Sequence, residues 1–177
     1  MEFLYILYFT IPSLIVGLLA YFMLTAFFKN EERKRNLELR LKNEEMFTPL
    51  RLQAYERMSL FLERISPPNL LPRVSQPGIS AKDFKQILIA EINNEYQHNL
   101  SQQIYVSHQV WVLIRAVKEQ VINMINVCHT RMHDDAKAID LSKAIFAVMI
   151  EQDENPVQKA LDFLNKEVHI IFAGNEK

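Results

Sequence analysis

The chain has 177 residues, 49% of them hydrophobic, and its 20 lysines and arginines against 21 aspartates and glutamates leave a formal charge of −1. The mean hydropathy of −0.05 averages two different materials: residues 1–28 hold 22 apolar residues and one charged side chain, Glu2, while every other charge falls in residues 29–177. That division excludes a one-piece soluble globule and a disordered chain, and a single cysteine, Cys128, excludes a disulfide-stapled secreted domain.

The first element runs from Phe3 to Phe28, 26 consecutive uncharged residues. As a helix it would be about 39 Å long at ~1.5 Å per residue, more than the roughly 30 Å of a hydrocarbon core, and the excess allows tilt or a bend at Pro12. Tyr5, Tyr8 and Tyr21 suit the two interfaces. A cleaved signal peptide expects a basic start and a shorter apolar run of about 7–15 residues, so a retained anchor is expected. Lys29, Arg33, Lys34, Arg35, Arg40 and Lys42 all follow the run and no base precedes it. The positive-inside rule then places the N-terminus outside and the rest in the cytoplasm, a reducing compartment that the unpaired Cys128 fits. Glu31, Glu32 and Glu38 interleave with these bases and reduce residues 29–42 to +3, which argues for a membrane flank over a nucleic-acid or acidic-lipid patch.

Three glycines in the whole chain leave few hairpin signals, so strands are not expected. Residues 30–45 are rich in Glu, Arg, Lys and Leu and form a charged helical stalk. Thr48-Pro49 reads as a fresh helix start, a capping hydroxyl followed by proline at the first position, and Ala54, Met58, Phe61, Leu62 and Ile65 make its apolar stripe. Ser66-Pro67-Pro68 ends that helix, and the stretch to Gly78, with Pro72 and Pro77, reads as an irregular linker.

Beyond it, Ser80 and Asp83 form a variant capping box for a helix carrying Phe84, Ile87, Leu88, Ile92, Tyr96 and Leu100 inward. The pattern breaks around Ile104 to Ser107. Ser107 caps a helix whose inward residues are Val110, Leu113, Ile114, Val117, Val121, Met124, Ile125 and Cys128. Asp140 caps a short helix with Leu141, Ala144, Ile145 and Val148 inside, and Asn155-Pro156 starts a last one that buries Ala160, Leu161, Leu164, Val168 and Ile171 and stops near Gly174. The expected fold is therefore all-α: a transmembrane anchor at 1–28, a juxtamembrane helical stalk at 29–66, a Pro-rich linker at 67–79 and a small cytoplasmic helical bundle at 80–177.

The runs Leu50-Arg51-Leu52-Gln53-Ala54-Tyr55-Glu56-Arg57, Phe61-Leu62-Glu63-Arg64-Ile65 and Asn94-Glu95-Tyr96-Gln97-His98-Asn99 resemble a family of uncharacterised single-pass inner-membrane proteins of Bacteroidetes. The resemblance spans most of the chain. It implies an inner-membrane protein with a helical cytoplasmic tail, and it carries no activity and no functional residues.

Two groups have metal-ligand chemistry in kind. His129 and His133 are four apart, with Cys128, Asp134 and Asp135 adjacent, but on a helix Cys128 points about 100° away from His129, and a histidine near a helix end is also favoured by the macrodipole. Glu95 and His98 match a Glu-x-x-His element, with Glu91 one turn earlier, yet a di-metal bundle needs two such elements and two further carboxylates. Residues 93–103 are the best candidate for a contact surface, though a plain solvent face is the reading favoured over it: Asn93, Asn94, Gln97, His98, Asn99 and Gln102 carry hydrogen-bonding groups with little long-chain charge to order or desolvate. Trp111 reads as a core-edge residue.

No Gly-rich phosphate loop or nucleophile turn is present, so no nucleotide is expected. Residues 67–177 carry 11 bases against 13 acids, the wrong sign for nucleic acid. The sequence thus leads to a non-enzymatic, membrane-anchored helical scaffold, adaptor or accessory subunit of an inner-membrane complex, without a cofactor, held in the bilayer by residues 3–28 and meeting a protein partner or further copies of itself. The alternative is a metal-dependent enzyme or metal-binding helical domain tethered to the membrane.

Overall fold

The computed structural model describes residues 2–151 and 155–173, and of residues 2–7, 9–11, 172 and 173 the backbone alone. Those residues form six α-helices, α1 (Glu2–Ile65), α2 (Pro67–Val74), α3 (Ala81–His98), α4 (His108–Thr130), α5 (Ala138–Glu151) and α6 (Pro156–Ala173), with a 3-10 turn at Leu100–Ile104. Among the described residues there is no strand, so the all-α expectation holds. The chain divides into two compact units, residues 1–48 and 49–177. The side chain of Tyr5 and the stop near Gly174 lie outside the described residues.

In the first unit every described side chain from Pro12 to Phe47 is exposed except Thr25, whose hydroxyl donates to the Tyr21 and Phe22 carbonyls, 2.9 Å each. Helix here owes nothing to packing. It rests on the intrinsic preference of Leu, Ala, Met, Glu, Lys and Arg and on same-face pairs such as Glu31 with Arg35 and Glu38 with Lys42.

The expected helix start at Thr48-Pro49 is corrected, because α1 runs through both residues. Pro49 lacks the N–H that would bond Glu45, and a single missing bond is carried by helix formers on both sides and by burial of Ala54, Tyr55 and Met58 just beyond. The second unit accordingly begins at Pro49, well before the residue 80 at which the sequence places the bundle.

Within that unit the core takes Ala54, Met58, Phe61, Leu62 and Ile65 from α1, each exposed by 1% or less. Ser66-Pro67-Pro68 does end α1, but the expected linker is largely the helix α2, with Pro67 and Pro68 in its first turn where a missing N–H costs nothing. Leu70 and Leu71 are buried and hold α2 on α3 and α5, which offsets the bond lost at Pro72. Gly78 turns the chain with φ +82, a conformation that an L side chain rarely adopts.

The start of α3 is pinned beside the start of α5. Ala81 N–H donates to the Ala136 carbonyl at 2.9 Å and Ala138 N–H to that of Ile79 at 3.1 Å. Ser80 Oγ accepts from Asp83 N–H at 3.0 Å, the cap half of the box read from sequence, and the Asp83 carboxylate accepts from the Ser80 hydroxyl at 2.7 Å. The backbone bridge also starts α5 three residues earlier than expected, at Ala138 where Asp140 as cap would have put it at Leu141. Asp140 therefore sits at its third position and accepts from Lys137 N–H at 3.1 Å instead of capping the helix directly.

Ser107 caps α4 through Val110 N–H at 3.2 Å, and Asn155 caps α6 through Val157 N–H at 2.9 Å. Phe84, Leu88 and Ile92 of α3 and Val110, Ile114, Val117, Val121, Ile125 and Cys128 of α4 are buried as their spacing requires. Leu100 is a correction. It is 42% exposed, because α3 ends at His98 and the tighter 3-10 turn rotates it off the stripe.

Candidate functional site: a polar groove between α1 and α3

With its inner residues committed to the core, α1 turns Gln53, Arg57, Leu60 and Arg64 outward at alternating steps of four and three, with Glu56 beside them. The same spacing on α3 sets Glu95, His98 and Asn99 beside them. These eight residues line a groove of about 380 Å³. At its centre Arg64 Nε lies 3.0 Å from Glu95 Oε2, with the arginine side chain half exposed and the glutamate nearly covered. Asn99 Nδ2 donates to the Glu95 carbonyl at 2.8 Å and to its Oε1 at 3.4 Å, so both carboxylate oxygens are engaged.

An aromatic wall backs α3 at this level. Tyr96 stacks on Trp111 with centroids 5.5 Å apart and meets Phe61 at 6.0 Å, while Lys118 Nζ sits 4.7 Å over the Tyr96 ring. Lys118 also reaches Asn93 Oδ1 at 3.5 Å and Glu119 at 2.9 Å. Trp111, 9% exposed, takes the core-edge place expected of it.

The polar surface read from residues 93–102 is therefore only partly a surface. Asn94, Gln97 and His98 are exposed. Asn99 is corrected: it is 7% exposed and spends its amide on the end of α3, since the last helical carbonyls need donors. Asn93 is half-buried and faces Lys118, and half-buried Gln102 donates to Ser101 Oγ at 3.4 Å. Arg57 and Arg64, which complete the groove, escaped the sequence reading. Their spacing from Gln53 and Leu60 was the available signal, whereas the meeting of Arg64 with Glu95 depends on how α1 lies on α3.

The metal candidates are placed apart or already partnered. Glu91 pairs with Arg73, whose guanidinium also donates to the Arg64 carbonyl at 3.3 Å, and Glu95 pairs with Arg64. Cys128 is buried while His133 is exposed beyond the end of α4. Burial raises the Cys128 thiol above its ordinary pKa, partly opposed by Arg131. Among the described residues no group of three or more His, Cys, Asp and Glu side chains could hold a metal ion.

A second polar contact lies within the same unit. Tyr55, 2% exposed, donates its hydroxyl to Glu167 Oε1 at 2.9 Å and accepts from Ser107 N–H at 3.3 Å. Burial, then the bond to Glu167, raises the Tyr55 pKa above its ordinary value.

An all-helical protein with one long apolar N-terminal helix, able by length and composition to cross a membrane, is the class these features define. The chain belongs to a family of unknown function, DUF7935, which it matches over residues 1–171. No curated protein and no solved structure is similar to it.

Proposed function

We propose that the protein is a non-enzymatic, single-pass inner-membrane scaffold or accessory subunit, with residues 3–28 in the bilayer and the helical unit in the cytoplasm. The observation that carries this reading is that the apolar window of α1, with mean hydropathy 1.6, has none of its residues buried. Uncovered apolar surface on that scale needs another phase or another chain to remove it from water. The six bases between Lys29 and Lys42 set the direction, and the bacterial inner membrane follows from the resemblance noted above.

Partner contact falls to the groove of α1 and α3 and the adjoining edge of Asn94, Gln97 and His98. Mixed charge of this kind gives register and specificity to a protein contact more than raw affinity. Membrane extraction in mild detergent, affinity purification and mass spectrometry test the reading. A second protein, or further copies of this chain, is expected to co-purify stoichiometrically from the membrane fraction, and to be lost in Arg57→Glu/His98→Glu. A strictly monomeric species with nothing bound would refute the scaffold reading, and recovery of the intact chain in the soluble fraction would refute the anchor.

A further inference from the structure

Of the helices that lie wholly within the second unit, α6 is, among the described residues, the one with a single close backbone neighbour. Its backbone packs closely on α4, and its buried residues are Val157, Ala160 and Leu164, whereas Ile170 is 74% exposed and Phe163 37%. Beside its first turn lies a gap of about 480 Å³ bordered by Gln120, Asn123, Met124 and Val127 of α4 and Val148 of α5.

At its other end Glu167 Oε1 receives the Tyr55 hydroxyl, while Glu167 Oε2 is sealed from solvent with no hydrogen-bond partner. A buried carboxylate oxygen without a donor forfeits its hydration, and that loss is recovered when the helix swings out. The Tyr55–Glu167 hydrogen bond that ties α6 to α1 therefore also carries a penalty for staying docked.

We propose that α6 is a releasable helix with the Tyr55–Glu167 hydrogen bond as its catch, detaching as a unit while α3, α4 and α5 stay folded. Release uncovers the stripe of Val157, Ala160 and Leu164 together with the α4 surface beneath it, so the bundle holds an apolar face in reserve. Sub-global opening of this kind is drawn from the least stable part of a structure, here the helix with one close neighbour, a gap at one end and an orphaned oxygen at the other.

Native-state hydrogen exchange on the full chain in detergent micelles, read by mass spectrometry, tests the device. Amides of 158–171 are expected to be at least ~10-fold less protected than those of 114–125 in α4. Tyr55→Phe strands the whole Glu167 carboxylate and is expected to lower α6 protection by about a further 10-fold, leaving α3 and α4 unchanged. Tyr55→Phe/Glu167→Met removes both polar partners and returns α6 protection to the wild-type level or above. Equal protection of α6 and α4 would overturn the proposal, as would a Tyr55→Phe effect spread evenly over residues 54–171. A double variant that stays at the level of Tyr55→Phe would remove Glu167 from the role of catch.

Discussion

Residues 12–28 and 54–65 lie on the same helix, yet the large apolar side chains of the first are exposed while most of those in the second are buried. Phe22 is 63% exposed and Leu18 50%, while Phe61 is 1% exposed and Leu62 0%. Residues 54–65 also carry four charges, Glu56, Arg57, Glu63 and Arg64, on the outward face of the helix, where residues 12–28 carry none. In the second unit Phe61 meets Tyr96 of α3 and Tyr55 bonds Glu167 of α6, so burial of the α1 stripe is internal and contributes to folding. Among the described residues the first unit holds α1 alone, and none of its apolar window is buried.

The largest effect that would break this contrast is a core truncation. Phe84→Ala removes a ring that is fully buried and should lower the unfolding free energy of the second unit by about 3–5 kcal/mol, read as a shift in urea midpoint. Phe22→Ala should leave that midpoint where it was. A matching loss from Phe22→Ala would mean that the two regions are not energetically separate.

The reverse test places a charge in the apolar run. Leu18→Arg should cost about 2.5–3.5 kcal/mol of membrane insertion and move protein from the membrane pellet to the soluble fraction, with the unfolding of the second unit unchanged. Retention of Leu18→Arg in the pellet at the wild-type level would show that the run is not held by lipid.

These two regions were also unequally legible. The apolar run announces itself by length, and the stripes of α3 and α4 by period, because both signals are local. Ser80, Ser107 and Asn155 were legible as caps for the same reason: a cap satisfies donors two or three residues away. The misses are the places where distant contacts decide. Pro67–Val74 folds as a helix because Leu70 and Leu71 find α3 and α5, and Asp140 moves inside α5 because the chain near residue 80 starts that helix early. Within the groove, Glu95 and His98 were singled out for metal-ligand chemistry, but Arg64 comes to Glu95 from 31 positions earlier. Nothing local in Asn99 told the buried amide from the exposed ones of Asn94 and Gln97.

A smaller effect separates a hydroxyl that caps from one that does not. Ser107→Ala leaves Val110 N–H without its acceptor and should cost about 1 kcal/mol. Thr48→Ala removes a hydroxyl lying mid-helix in α1 and should stay within about 0.5 kcal/mol of wild type by the same denaturation curve. Equal losses from the two would restore Thr48 as a helix start.

The narrowest effect is confined to alkaline pH and to one phenol. Tyr55 is held above its ordinary pKa of 10.0 by burial and by the bond to Glu167. The folded state thus favours the neutral hydroxyl more than the unfolded chain does. This contribution is fully present below about pH 10 and is lost as pH rises through the ordinary value and on to the folded one, because the unfolded chain releases its proton first. The measurable quantity is a difference between two proteins. Wild-type stability should fall more steeply above about pH 10 than that of Tyr55→Phe. Parallel slopes in wild type and Tyr55→Phe would show that the phenol meets water and would take the buried contact between α1 and α6 away with it.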